Sequence, residues 1–136
     1  MSTFSTFDIA GSALSAQSLR LNLTASNLAN MHDVAGDPAA VYRPRQAVFR
    51  ASGQPFGDVL AGVDVLGVVE STTPPIERYD PGNPQANAQG MVYASSVNPM
   101  EEMANMISAS RSYQNNLEVI NTAKQLLQRT LMLGQA

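Results

Sequence analysis

At 136 residues the chain fits one ordinary domain, and with 44% hydrophobic but only 14% charged residues it lacks the charge with which a solitary soluble protein covers its helices. A net charge of -3, with Lys124 as the sole lysine, argues against nucleic acid as a partner, because phosphate binding depends on clustered Lys and Arg. The absence of cysteine excludes a disulfide and a thiolate metal site, and no stretch approaches the roughly 18–20 apolar residues that span a bilayer, so no direct membrane insertion is expected.

Residues 1–10 lack the basic start and continuous apolar core of a cleaved secretory signal, so a cytoplasmic protein, or one exported by a machine that leaves the N-terminus uncut, is expected. From Phe7 or Asp8 to about Asn30 the spacing predicts a helix. Phe7, Leu14, Leu21 and Leu28 recur every seven positions, with Ala10, Gln17 and Thr24 between them, and that period lines side chains along one narrow stripe. Gly11, Ser12, Ala13, Ser15, Ala16 and Ser18 make the first half small-sided, which admits a close neighbour but costs helix propensity. Such a segment is expected to fray until something covers it.

The helix is predicted to end before Asp37-Pro38, since proline holds its predecessor in extended conformations. Val41 to Arg50 reads as a strand interrupted by Pro44, Val59 to Val69 as a valine-rich strand bent at Gly62 and Gly67, and Met91 to Tyr93 as a third short strand. Thr73-Pro74-Pro75 and Asp80-Pro81-Gly82-Asn83-Pro84 read as turns or extended loop. Arg43, Arg45 and Arg50 read as a solvated or interface-facing strand edge rather than a polyanion patch.

The last helix has the clearest signals. Asn98 is a cap, Pro99 suits the first helical position, and Glu101 stands where a capping box needs it. Glu101 and Glu102 face the positive end of the helix dipole, Arg129 the negative end, and Gly134 is a terminator. Met103, Met106, Ser110, Tyr113, Leu117, Ile120, Lys124, Leu127 and Leu131 alternate steps of three and four along a second seam. Ser108, Ser112, Asn115, Asn116, Asn121, Thr122 and Gln125 are expected on its outer side. The predicted fold is therefore mainly α, with a small β-rich middle lobe and long terminal helices packed as a coiled-coil-like pair. Its segments are 1–36, 37–96 and 97–136.

Nothing along the chain composes an active site. His32 is the sole histidine, and with Asp33 and Asp37 at a helix exit it reads as a solvated cap rather than a metal or catalytic group. No G-x-S-x-G elbow, P-loop or G-x-G-x-x-G is present, and Glu77 with Asp80 reads as solvated loop. Met100, Met103 and Met106 read as gap-filling core or interface rather than a metal-binding stripe. No enzyme activity, cofactor or metal is expected. Gln17, Thr24, Ser110 and Lys124 interrupt the seams, as residues that fix register do. Arg111 and Tyr113 suit hydrogen bonds between neighbours, and an intrahelical or solvated role equally.

Ala25-Ser26-Asn27-Leu28-Ala29-Asn30, preceded by Arg20-Leu21-Asn22, resembles the S-x-N-L-A-N signature of bacterial flagellar axial proteins. The run from Val97-Asn98-Pro99 through Met103, Met106-Ile107, Ala109, Arg111, Tyr113, Asn116 and Asn121-Thr122-Ala123-Lys124 is similar to the family's C-terminal signature. Tyr42 to Phe49 and Tyr79-Asp80-Pro81-Gly82 resemble segments of its proximal-rod members. The likeness covers nearly the whole chain in order. It departs after Asn30, where Met31 to Pro38 replaces a threonine-containing turn and a glycine pair.

The resemblance implies a subunit of the flagellar basal-body rod, exported without signal cleavage by the flagellar type III apparatus. It would assemble helically across the periplasm into a drive shaft. The implied partners are copies of itself, other proximal and distal rod subunits and a rod-base adaptor. The assembly interface expected from the seams comprises Leu14, Leu21, Leu28, Met103, Met106, Tyr113, Leu117, Ile120 and Leu127, to which the signatures add Asn27, Asn30 and Arg111. The competing reading is a soluble coiled-coil adaptor that recruits one partner helix and never polymerises.

Overall fold

In a computed structural model, which describes residues 3–52 and 62–134, two long helices enclose a β-rich middle. Helix α1 spans Thr3–Ala29 and α2 spans Pro99–Gly134, or about 40 and 54 Å at 1.5 Å per residue. The first begins at Thr3, earlier than the Phe7 or Asp8 expected. The two run antiparallel, because Arg20 Nη2 donates to Asn105 Oδ1 at 3.3 Å near the start of α2 while Thr6 shares a cleft with Ala123 and Leu126 near its end. Residues 128–134 are exposed along their whole length.

The cap of α2 is formed as its sequence dictates. Asn98 Oδ1 accepts from Met100 N at 3.1 Å and Glu101 N at 3.5 Å, and Asn98 O accepts from Glu102 N at 3.0 Å. Glu101 stays exposed and makes no return bond to Asn98 among the described residues, so the capping box is only half built.

Between the helices lie β1 (Val34–Ala35), β2 (Arg45–Ser52), β3 (Gly62–Glu70), β4 (Ile76–Tyr79) and β5 (Met91–Ala94). An antiparallel sheet in the order β1-β5-β4 pairs Val34 with Ala94 and Tyr79 with Met91. A separate hairpin pairs β2 with β3 from Arg45 opposite Glu70 to Ser52 opposite Gly62. Its register slips between Val48 and Phe49, where Leu66 is the extra residue beside Gly67, so the expected bend at that glycine is a β-bulge.

Several segments differ from their sequence expectations. Pro44 precedes β2 rather than interrupting it, and its carbonyl still accepts from Ser71 N at 2.8 Å. Residues 59–61 of the predicted Val59–Val69 strand lie outside the described residues. β1 was not expected, and neither was a strand at Ile76–Tyr79, whose Glu77 reads as solvated loop. Its turn signals are real but stand outside it: Thr73-Pro74-Pro75 leads in, and Asp80 N donates to Gly90 O at 2.9 Å as the chain leaves. Gly90 supplies the φ of 75° this loop closure needs, and Asn87 Oδ1 accepts from Gln89 N and Met91 N.

The interior is built of small groups. Ala10, Ala16, Val41, Val92, Val97, Ala109 and Ala123 are its buried hydrophobics, and the largest side chains almost wholly removed from water are Val92 and Asn27. At roughly 25 cal/mol per Å2 of apolar surface such a core stabilises little against the entropy of two long helices. Weak amide protection of residues 10–30 is therefore expected in the dilute monomer, rising on assembly. Hydrogen exchange measures it directly, and strong protection in the free subunit would contradict the expectation.

Candidate assembly interface

The first seam lies on the covered side of α1, although two of the four buried residues of that helix, Ala16 and Asn27, stand one position before it. Ala10 and Thr24 are buried, and Phe7, Leu14, Gln17, Leu21 and Leu28 are half-buried. What α1 leaves in water is a narrow stripe of Asp8, Gly11, Ser15, Ser18, Asn22, Ala25 and Ala29.

On α2 the covered stripe is Glu102, Met106, Ala109, Tyr113, Asn116, Ile120, Ala123 and Leu127. It shares Met106, Tyr113, Ile120 and Leu127 with the predicted seam but replaces Met103, Ser110, Leu117 and Lys124 by their immediate predecessors. The physical reason is size: Ala109 and Ala123 let α1 approach closely, and the bulkier Met103 and Leu117 are turned outward, 48% and 44% exposed. Lys124 and Leu131 are likewise exposed, and Ser112 and Asn116, expected on the outer side, are half-buried, with Asn116 Nδ2 bonded to Ser112 O at 2.8 Å.

Two apolar flanks therefore run beside the covered stripe. At 100° per residue Met100, Met103, Ile107 and Leu117 fall on one side of it and Val119, Leu126 and Leu133 on the other, all exposed. A cleft of about 490 Å3 between Thr6 and Val119, Ala123 and Leu126 opens onto the second flank. Val65, Leu66, Val68 and Val69 of the hairpin are exposed as well. Uncovered apolar surface of this extent on a small chain is of the kind that interaction sites carry.

Asn27 and Asn30, expected at the interface, act inside the subunit. Asn27 is 1% exposed, and its side-chain amide treats β2 as a neighbouring strand would: Nδ2 donates to Arg45 O at 2.9 Å, while Oδ1 accepts from Arg45 N at 2.9 Å and Tyr42 Oη at 2.8 Å. Asn30 Nδ2 donates to Ser26 O at 2.8 Å across the last turn of α1. Sequence periodicity missed Asn27 as a structural centre because a polar residue off the heptad gives no apolar signal; only the family signature pointed to it.

Arg111 is exposed and makes no ion pair among the described residues. Three other arginines form exposed pairs of the kind that contribute little: Arg45 with Glu70 at 3.0 Å and Arg50 with Asp64 at 3.5 Å across the hairpin, and Arg78 with Asp80 at 3.5 Å. His32 is exposed, Asp33 Oδ2 accepts from Tyr42 N and Asp37 Oδ1 from Ala39 N, so both acids are turn acceptors. Among the described residues no three His, Cys, Asp or Glu converge, and no helix is long and apolar enough to cross a membrane. His32→Ala is expected to change the melting temperature and motility negligibly, as surface substitutions do; loss of motility would assign the histidine a site.

A pair of seamed helices with uncovered apolar flanks defines an assembly subunit. Comparison with known proteins gives the class its family. Residues 7–36 match the model for flagella basal body rod protein, and residues 88–133 match that for flagellar basal body rod FlgEFG protein C-terminal. The flagellar basal-body rod proteins FlgC of Salmonella typhimurium strain LT2 and Escherichia coli O157:H7 are each 50% identical to this chain over 99% of it and 100% of their own length. FlgC of Bacillus subtilis strain 168 is 31% identical over the same shares. The chain belongs to the FlgC family of flagellar basal-body rod proteins. It is a non-enzymatic structural subunit of the rod and assembles with other rod subunits.

Proposed function

We propose that the subunit forms the proximal part of the rod and carries torque across the periplasm through helix-to-helix packing in an open helical lattice. The observation that carries this reading is the pair of uncovered apolar flanks on α2. A single partner helix would cover one of them, whereas a lattice covers both, and contacts between unlike surfaces that do not close into a ring propagate as a helix. Met103, Leu117 and Arg111 are free to meet neighbours. Leu14, Leu21, Leu28, Met106, Tyr113, Ile120 and Leu127 share their surface between the partner helix and the outside. Asn27 and Asn30 contribute through the shape of the subunit.

The partners in this reading are copies of the chain, other proximal and distal rod subunits and the rod-base adaptor. Delivery is by the flagellar type III apparatus without signal cleavage, for which a weak, small-residue core suits a chain that travels unfolded. Electron microscopy of the native particle tests the proposal: a helical lattice containing this subunit at the proximal rod is expected. A closed complex of fixed small stoichiometry would favour the coiled-coil adaptor instead.

A further inference from the structure

Glu102 is anomalous. It lies in the first turn of α2 and is only 5% exposed, and its carboxylate has no hydrogen bond or ion pair among the described residues. It lines a cleft of about 400 Å3 with α1 as floor, through Arg20 and Thr24, and with the β2 residues Gln46 and Phe49 opposite. Of the two arginines that line it, Arg45 is paired with Glu70 and Arg20 directs Nη2 to Asn105 Oδ1. With no partner in its own chain among the described residues, the Glu102 carboxylate opens into the cleft, where a cation entering from outside would pair with it.

Resting on the rod reading above, we infer that this cleft is a socket for a cationic side chain of the axially adjacent copy, and that the cation is Arg129 of that second copy. Charge complementarity along the molecule supplies the argument. The acids Glu101 and Glu102 stand at one end of α2, and Arg129 stands about 40 Å away at the other, exposed and without an ion pair among the described residues. It sits on the stretch of α2 that nothing covers, residues 128–134. Head-to-tail stacking brings the acidic end of one copy to the basic end of the next. A guanidinium is the better occupant, since its fork bonds both oxygens of a carboxylate and dehydrates more readily than an ammonium.

The test is a neutral cycle, Glu102→Gln, Arg129→Gln and the double variant, with Arg20→Gln as control. Rod incorporation is read from purified basal bodies and melting temperature from the free subunit. The expected result is that Glu102→Gln leaves the melting temperature unchanged, because the carboxylate has no partner within the chain to lose, while incorporation falls about tenfold or more. Arg129→Gln should match that loss, and the double variant should lose no more than either alone, the signature of a paired contact. Additive losses would overturn Arg129 as the partner. Normal incorporation of Glu102→Gln with a melting temperature lowered like that of Arg20→Gln would overturn the socket in favour of a pair within the chain. Wild-type subunit in a helical rod, with either outcome, leaves the rod reading standing; its absence from such a rod would overturn that reading instead.

Discussion

Leu117→Ala is expected to leave the free subunit almost as stable as the wild type and to cripple its incorporation into the rod. The side chain is 44% exposed on the flank of α2 that α1 does not cover, so truncation removes less buried surface from the monomer than it would on the covered stripe. Where a neighbour packs over it fully, the same truncation costs roughly 2–5 kcal/mol at each contact and is repeated at every copy in the lattice. Ile120→Ala makes the contrast. It sits on the stripe facing α1 and is half-buried, so about half that cost falls on folding itself, lowering the melting temperature by roughly 3–10 °C. Thermal unfolding and basal-body incorporation, measured on both, separate the interface from the fold. Equal tolerance of the two would mean that neither stripe of α2 is what the lattice buries.

Asn27→Ala is expected to be the most damaging single truncation on α1. It deletes one donor and one acceptor that hold Arg45 N, Arg45 O and Tyr42 Oη, leaving these groups to find water where little reaches. The loss is expected at about 2–4 kcal/mol. Asn27→Asp sharpens the test because it keeps the shape and the acceptor oxygen while setting a carboxylate against the Arg45 carbonyl in a site 1% exposed. It should destabilise the subunit at least as much as alanine does at neutral pH. Chemical denaturation of both variants measures this; a near-wild-type Asn27→Asp would show that the amide donor contributes nothing to seating β2 on α1.

The middle of the chain shows how far local signals reach. Asn98 and Pro99 specify a helix start through groups within four residues of each other, and the helix starts there. Ile76–Tyr79 has no comparable local mark: four residues flanked by proline are as suited to a loop, and they become a strand because Met91–Ala94 lies alongside to pair with them. Val34 and Ala35 are strand for the same reason, their partner being some sixty positions further along the chain. Pairing between distant segments is a tertiary event that composition does not record.

The sequence by itself determined that the chain has two long terminal helices with apolar stripes, that a β-rich segment separates them, and, through its signatures, that it is kin to the flagellar axial proteins. These properties rest on periodicity and short-range capping, which act over one or two turns. Only the tertiary structure decided which residues of α2 face α1. Two heptad stripes one residue apart, sharing Met106, Tyr113, Ile120 and Leu127, are indistinguishable by apolar spacing. The choice between Ala109 and Ser110, or Ala123 and Lys124, falls to the small side chain because close approach of the helices, not hydrophobicity, is what the packing rewards. The same rotation buries Glu102 and turns Met103 and Leu117 outward.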